Sequence, residues 1–399
     1  MNIILMYCSC FFWLFLPGFM YVSFGGGLGL GSMIAALLQV FLFVAFKSSL
    51  PIYINRLLLL YFLFFSLIVL NSIFPAFSII GFKQIGLFIF IILAMFCAAI
   101  FVAELKSWRA IKLIEFFEHM VVIIVLWTLT FYFISFPFMN YDGFSKQMFP
   151  YAEPSHYLLS CGFILFVAGA VVSFKYRVVS LCLLIFIGIV MPSVIALVLG
   201  FFYLIHFRSL FTAKGLFWSV LLGILVSLGL YYLLGGEYYI NNAGYYLNRV
   251  DFSADNTNLS ALVYIQGFSL IISNLNEYPL GLGQLNIGKE PPIDISLLIY
   301  DLAGEFKNRT DGGFLASKFI SEFGFLGLCI VIFYLVHWSQ LLFRLIFKRE
   351  HYNEFELICM SGYLVFIVEL FLRGTGYLSF GVLLLFIYLI NVGKTYRSI

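Results

Sequence analysis

Long apolar runs recur along the chain, and each is close to the length that a helix needs to cross a membrane. A helix requires about 20 apolar residues to span a hydrocarbon layer of about 30 Å. Within lipid, helices can satisfy their own backbone hydrogen bonds. Eleven such runs cover residues 3–21, 28–46, 57–75, 85–102, 120–138, 157–174, 178–207, 216–234, 313–337, 355–372 and 376–392.

The composition excludes an ordinary water-soluble domain. Hydrophobic residues make up 63% of the 399 residues, charged residues make up 10%, and the mean hydropathy is +1.07. Soluble domains are about 45–50% apolar and about 25% charged. We therefore expect an all-α polytopic integral membrane protein whose main contact is the lipid bilayer. No basic run long enough to bind nucleic acid is present.

The run 178–207 decides the topology. As one helix it would be about 45 Å long, which is too long for a single untilted span. Basic residues concentrate in cytoplasmic loops, and the basic clusters alternate correctly only if this run turns at 191–193 into two short helices. A partly re-entrant hairpin is the alternative. The clusters are Lys47 with Arg56, Lys106 with Arg109 and Lys112, Lys175 with Arg177, Arg208 with Lys214, Arg344 with Lys348 and Arg349, and Lys394 with Arg397.

This pattern predicts a single membrane domain, 1–399, with about twelve transmembrane helices and both termini in the cytoplasm. One large loop, residues 235–312, then lies on the outer side of the membrane. Two of its segments are predicted to be short helices at the outer face. Residues 259–272 are apolar, and residues 291–306 mix apolar and acidic positions as an interfacial helix does.

Two pairs of opposite charges lie near the outer ends of predicted spans. Lys318 precedes Glu322 by four residues, and Glu369 precedes Arg373 by four. Residues at this spacing share one face of a helix and can form an ion pair. A charge at membrane depth costs about 2.5–3.5 kcal/mol on insertion scales. The pairs therefore indicate either mutual neutralisation or a polar cavity that opens outward.

Three arginines, Arg249, Arg309 and Arg373, are predicted on the outer side, against the usual charge bias. Arginine binds phosphate through a planar, permanently charged fork. These residues either pair with neighbouring acids, such as Asp251 and Asp311, or bind an anionic ligand.

Glu153 and His156 lie three residues apart where a predicted span begins from the outer side. A carboxylate and an imidazole in this place can serve as a general acid or base. The alternative is a structural role, because the helix dipole favours a carboxylate at a helix N-terminus.

Several motifs are missing from the sequence. It contains neither a P-loop nor a dinucleotide-binding glycine motif, and it contains no D-x-D pair for a metal and a nucleotide sugar. We therefore expect no cofactor and no metal. An enzyme of this kind would act on a substrate that arrives in the membrane already activated.

The chain resembles the O-antigen polymerase (Wzy) family of bacterial surface-polysaccharide assembly. The predicted topology is similar over most of the chain, and four short motifs match the family's sequence pattern. They are Glu153-Pro154-Ser155-His156-Tyr157; Arg249 followed by Asn258-Leu259-Ser260-Ala261; Tyr278-Pro279-Leu280-Gly281-Leu282-Gly283; and Asp311-Gly312-Gly313-Phe314-Leu315 followed by Glu322-Phe323-Gly324-Phe325-Leu326-Gly327.

The resemblance implies a GT-C-like helical glycosyltransferase in the bacterial inner membrane. Its substrates would be oligosaccharide repeat units on undecaprenyl pyrophosphate. It implies that outer-loop arginines, matched here by Arg249 and Arg309 and more loosely by Arg373, bind the pyrophosphate. Glu153 or His156 would take the proton of the attacking hydroxyl. A chain-length regulator and a flippase of the same pathway are the implied partners.

The substrate-binding prediction further includes Asp311, which begins the fourth motif, and Lys318, which lies between the two parts of that motif.

Two other functions remain open. O-antigen ligases share this architecture, but they usually have a His-Asn pair where this chain has Asp311-Gly312. A lipid-linked oligosaccharide flippase or another transporter would fit twelve spans. The long outer loop and the lack of an evident internal repeat fit a transporter less well.

Overall fold

The computed structural model describes residues 3–25, 27–46, 82–133, 148–191, 193–207, 221, 257–374 and 376–395. The predicted span 57–75 lies outside these ranges, and so does 216–234 except for residue 221. Within them, helices are the regular elements, with one isolated antiparallel bridge between Met148 and Tyr151. The helices are α1 (Ile3–Phe24), α2 (Leu28–Phe46), α3 (Phe82–Ser107), α4 (Ala110–Phe133), α5 (Pro154–Gly169), α6 (Phe174–Val190), α7 (Val194–Phe207), α8 (Leu259–Glu277), α9 (Asp294–Ala303), α10 (Leu315–Phe347), α11 (Glu354–Phe371) and α12 (Phe380–Thr395).

Five of the described helices are long and apolar enough to cross a membrane by length and composition, namely α1, α2, most of α3, α8 and α10. Three shorter apolar helices accompany them within α5, α7 and α12. The chain is therefore a multi-pass membrane protein of helical class, as its composition predicts. By this criterion α8 is a candidate span, whereas the sequence placed its first part at the outer face.

The helix boundaries follow the apolar runs closely in some places and exceed them in others. Helix α2 has the predicted bounds, and the run 178–207 breaks between α6 and α7 as predicted. In contrast, α4 begins ten residues before its apolar run, and α10 continues ten residues beyond its run. An apolar run marks the part of a helix that lipid can surround, whereas backbone hydrogen bonding continues into polar turns.

Helix α5 occupies the centre of the described bundle. Every residue from Tyr157 to Val172 is buried, and α5 packs against helices that include α4, α6, α7 and α11. A Cβ on Gly169 would come within 2.6 Å of the Tyr203 ring on α7. Small residues allow this close approach, which is how helices associate in lipid without a hydrophobic driving force.

A chain of buried hydrogen bonds joins the first three described helices. The Trp13 indole donates to Gln39 Oε1 at 2.7 Å, and Gln39 Nε2 donates to the Cys97 carbonyl at 3.3 Å. Gln39 is 1% exposed, so an unpaired amide there would be costly. These bonds set the relative register of α1, α2 and α3.

The bundle has two opposite ends, which we name by α5. The start of α5 and the end of α11 define the outer end, whereas the turn after α5 and the end of α10 define the inner end. Helix α5 has 16 residues, so the two ends are about 24 Å apart along its axis. The predicted site residues Glu153 and Arg373 lie at the outer end, and Arg349 lies at the inner end.

Candidate functional site

The third and fourth sequence motifs, residues 278–283 and 311–327, contact each other at a kink in α10. Gly324 has φ 59° and ψ −142°, which interrupts the helix and frees carbonyl groups before it. The Leu282 amide donates to the Ser321 carbonyl at 3.0 Å, and the Gly283 amide donates to the Glu322 carbonyl at 3.1 Å. The glycine-rich turn at 279–283 therefore replaces the lost helical bonds.

Glycine is required on both sides of this junction. A Cβ on Gly324 would collide with the Pro279 carbonyl oxygen, and a Cβ on Gly281, whose φ is +93°, would collide with the Glu322 carbonyl oxygen. The Phe325 amide donates to Pro279 O at 2.9 Å. This interlock fixes the turn of α10 that carries Glu322.

The turn before α10 is fixed in a similar way by α8. Asn258 caps the N-terminus of α8 with its side-chain oxygen. The Ser317 hydroxyl donates to the Gly267 carbonyl at 2.7 Å, and a Cβ on Gly313 would come within 2.8 Å of the Val263 carbonyl oxygen. Parts of the second, third and fourth motifs thus form one framework around the start of α10.

Lys318 and Asp311 form an ion pair within this framework. Lys318 Nζ lies 3.2 Å from Asp311 Oδ1, and the lysine side chain is 8% exposed whereas that of Asp311 is 64% exposed. The sequence suggested that Lys318 would pair with Glu322 one helical turn away. The direct ion pair is with Asp311, because the turn at Gly312 and Gly313 folds back over the first turn of α10, and the charge of Lys318 also acts on the Glu322 carboxylate.

Glu322 is fully buried and accepts a hydrogen bond from the Tyr377 hydroxyl at 2.7 Å. Lys318 Nζ lies 5.7 Å from the centroid of the Tyr377 ring. The Tyr377 hydroxyl is the donor in this bond, because a carboxylate can only accept. Sequence reasoning missed Tyr377, because no motif distinguishes it in the segment after α11.

The second cluster is centred on Arg373. Its Nη2 lies 2.8 Å from Glu153 Oε2, and its Nε donates to His156 Nε2 at 3.2 Å. The sequence suggested an ion pair with Glu369, on the same helix. The structure turns Arg373 toward α5 instead, because it lies beyond the last helical residue of α11, Phe371.

This geometry defines the protonation of His156. A guanidinium can only donate hydrogen bonds, so Nε2 accepts, and a neutral ring then carries its proton on Nδ1. Nδ1 is buried and has no hydrogen-bond partner. The side chains of Arg373 and Glu153 are 31% and 32% exposed, so the ion pair can be reached from outside the bundle.

The segment between α11 and α12 connects the two clusters. It contributes Tyr377 to the first cluster and Arg373 to the second, and a Cβ on the intervening Gly374 would come within 2.6 Å of the Leu315 amide nitrogen. The start of α10 and the start of α5 are therefore joined at the outer end through this short segment. Of the predicted site residues, Glu153, His156, Arg373, Asp311 and Lys318 are brought to this region.

Arg309 has a different environment. Its Nη2 donates to the Glu290 carbonyl, and its guanidinium carbon lies 5.1 Å from the Phe306 ring centroid. Burial raises the pKa of Glu290, whose Oε2 accepts the Gly288 amide at 2.7 Å. Of the two alternatives for Arg309, pairing with Asp311 does not occur among the described residues, where Arg309 instead stabilises the loop around Glu290. Arg249 and its proposed partner Asp251 lie outside the described residues.

A cavity of about 30 Å³ lies elsewhere in the bundle. Its lining includes Met6, Phe116, Ile164, Cys359 and Leu384, and it contains no charged side chain. The cavity therefore does not mark the ionisable site.

No group of three or more metal-ligating side chains occurs in the part of the chain that the structure describes. No protein-family model, curated protein or solved structure matches the chain. The resemblance to the O-antigen polymerases therefore remains a prediction from the motifs.

Proposed function

We propose that the chain is a membrane glycosyltransferase that polymerises oligosaccharide repeat units carried on undecaprenyl pyrophosphate. The observation that supports this best is the Arg373 cluster. A guanidinium is held by a carboxylate and an imidazole, next to a second cation–carboxylate pair, at one end of a membrane helix bundle. This arrangement offers both a phosphate ligand and a proton acceptor.

The location is part of the same proposal. We place the chain in the bacterial inner membrane with about twelve spans, both termini in the cytoplasm and residues 235–312 in the periplasm. The outer end then faces the periplasm, where flipped lipid-linked units are available. A flippase would supply these units, and a chain-length regulator would act on the product.

In the proposed reaction, a hydroxyl at the non-reducing end of one unit attacks the anomeric carbon of the growing chain. The bond between that carbon and the pyrophosphate oxygen breaks, and undecaprenyl pyrophosphate leaves with the bonding electrons. Arg373 binds the pyrophosphate and stabilises the charge that develops on it. Lys318 adds a second positive charge nearby, with Arg249 as a further candidate.

We assign the proton acceptor to Glu153. When pyrophosphate engages Arg373, the carboxylate loses its cationic partner and becomes more basic. Its Oε2, which now contacts Arg373 and the Ser155 hydroxyl, is then available for the sugar proton. We assign His156 a positioning role, because its Nε2 accepts the Nε–H of Arg373 and the Nη groups of Arg373 then remain for the pyrophosphate.

The test is the surface polysaccharide of a deletion strain, separated on a gel. A core that carries one repeat unit, with the longer ladder missing, supports a polymerase. A bare core with lipid-linked polymer would indicate a ligase, and a bare core with single lipid-linked units trapped inside would indicate a flippase. An unchanged ladder would exclude a role in surface polysaccharide.

Arg373 variants then test the site in the same strain. We expect Arg373→Ala to abolish the ladder and Arg373→Lys to restore it only in part, because lysine keeps the charge but loses the planar fork. Arg109→Lys, at an exposed arginine away from the outer end, is the matched control. Full-length polymer from Arg373→Ala at normal protein abundance would show that this cluster is not the site.

A further inference from the structure

Two arginines converge on the C-terminus of the central helix at the inner end. Arg177 Nε donates to the Gly169 carbonyl at 3.0 Å, and Arg349 Nη2 donates to the Ala170 carbonyl. These are consecutive carbonyl groups at the end of α5, although Arg177 and Arg349 come from different parts of the chain. The two guanidinium groups therefore lie side by side.

Among the described residues, no carboxylate forms an ion pair with this local charge. The C-terminus of a helix carries about half a negative charge, whereas the two guanidinium groups carry two positive charges. Neither arginine forms an ion pair with a carboxylate of the described residues. Glu118 is nearby, but its Oε1 accepts the Ser173 amide at 3.1 Å.

The parts of the sequence outside the described ranges offer no obvious counterion on this side. The segments predicted to be cytoplasmic among them, 47–56, 208–220 and 396–399, contain no Asp or Glu. Lys175 and Lys348 lie within two residues of Arg177 and Arg349 and add two positive charges, whereas Glu350, which follows Arg349, adds one negative charge. An anion from outside the chain would complete this site.

Arg349 has a donor that the protein leaves unused. Its Nη1 is buried without a hydrogen-bond partner, and its guanidinium carbon lies 5.9 Å from the Phe207 ring centroid. Burial, and then the charge of Arg177, lower the pKa of Arg349 to about 10. At neutral pH the group is therefore still cationic, and its free N–H can bind an acceptor.

We propose that Arg177 and Arg349 form a binding site for a phosphate-bearing anion at the inner end of the bundle, either an anionic lipid headgroup or free phosphate. Guanidinium groups match phosphate oxygens in geometry and charge. Basic pockets between membrane helices on the cytoplasmic side bind anionic headgroups in this way. The site is separate from the Arg373 cluster and does not depend on the polymerase proposal.

The experiment uses the purified full chain in detergent. Its thermal unfolding is measured with added phosphatidylglycerol, with phosphatidylcholine and with inorganic phosphate. A ligand that binds only the folded state raises Tm, and we expect phosphatidylglycerol to raise it by about 3 °C or more relative to phosphatidylcholine. An equal rise with inorganic phosphate would identify free phosphate as the ligand rather than a lipid headgroup.

Variants locate the effect. We expect Arg177→Gln and Arg349→Gln each to weaken the response by about tenfold in ligand concentration, because each removes charge-assisted hydrogen bonds. Arg109→Gln, at another arginine predicted to be cytoplasmic, should respond like the wild type. A wild-type protein that phosphatidylglycerol and phosphate do not stabilise beyond phosphatidylcholine would overturn the proposal, whether or not the variants fold. So would an unchanged response in both variants.

Discussion

At the residue scale, the outer end places ionisable side chains in contacts that no single helix could provide. Arg373 contacts residues of α5, Lys318 contacts the turn before α10, and Tyr377 contacts the buried Glu322. Each charge is matched by a partner from another segment. This matching explains how a lipid-embedded bundle retains these groups, since an isolated charge at this depth would be costly.

The Tyr377–Glu322 bond should contribute measurably to stability. Tyr377→Phe leaves the buried carboxylate without this donor, and we expect a loss of about 1–3 kcal/mol in the free energy of unfolding. Tyr300→Phe is the matched control, because Tyr300 is 45% exposed. The measurement is the thermal unfolding of both purified variants in the same detergent.

A double variant tests whether the two groups act together. In Tyr377→Phe with Glu322→Met, the combined loss should be smaller than the sum of the two single losses, because each single variant removes the same bond. Strict additivity would show that the bond does not couple the two side chains.

At the element scale, the kink in α10 is stabilised by a loop that is about forty residues away in sequence. The helix contributes free carbonyls at Ser321 and Glu322, and the turn at 279–283 contributes the amides that satisfy them. Kinks in membrane helices persist where such groups are satisfied again by neighbouring structure. The kink and the turn are therefore one structural unit, and it positions the buried carboxylate of Glu322.

Alanine substitutions at two glycines can separate backbone conformation from close packing. Gly304 and Gly324 both have positive φ, but a Cβ meets nothing within 4 Å at Gly304, whereas Pro279 O occupies that space at Gly324. We expect Gly304→Ala to cost about 1 kcal/mol and Gly324→Ala to cost at least about 3 kcal/mol.

The readout is thermal unfolding together with polymer length. Gly324→Ala should also shorten or abolish the ladder, because it displaces Glu322 and Tyr377. If Gly304→Ala and Gly324→Ala lower the unfolding temperature and the polymer length equally, the contact between Gly324 and Pro279 does not stabilise the kink.

At the scale of the whole molecule, the two ends of the bundle differ in the way their charges are used. The outer end contains cation–carboxylate pairs at Arg373 and Lys318, whereas the inner end contains the arginine pair without a carboxylate partner in the described chain. This difference agrees with the positive-inside pattern from which the topology was predicted.

Reporter fusions test that topology directly. Alkaline phosphatase fused after Gly304 should be active, because that exposed turn is predicted to be periplasmic, and a fluorescent protein fused after Glu350 should fluoresce, because that turn is predicted to be cytoplasmic. The reciprocal fusions serve as controls. If both positions report the same side, the Arg373 cluster and the Arg177–Arg349 pair do not face opposite compartments.

The sequence alone predicted the helical membrane class, the position of most described helices and the break at 191–193. These features depend on local hydrophobicity and on charge near helix ends, both of which can be read along the chain. It also identified Glu153, His156, Arg373, Asp311 and Lys318 as candidates, because charged residues in apolar surroundings are conspicuous.

The tertiary structure alone decided which of these groups meet. Spacing of four residues suggested Glu369 with Arg373, but Arg373 pairs with Glu153 of α5. Lys318 acts on Glu322 as the spacing suggested, but its direct ion pair is with Asp311 in the turn before α10. The sequence likewise did not predict the contact of Tyr377 with Glu322 or the convergence of Arg177 and Arg349 on the end of α5, since these residues are far apart in the chain. Such pairings depend on how helices pack and turn, and periodicity within one helix contains no information about that.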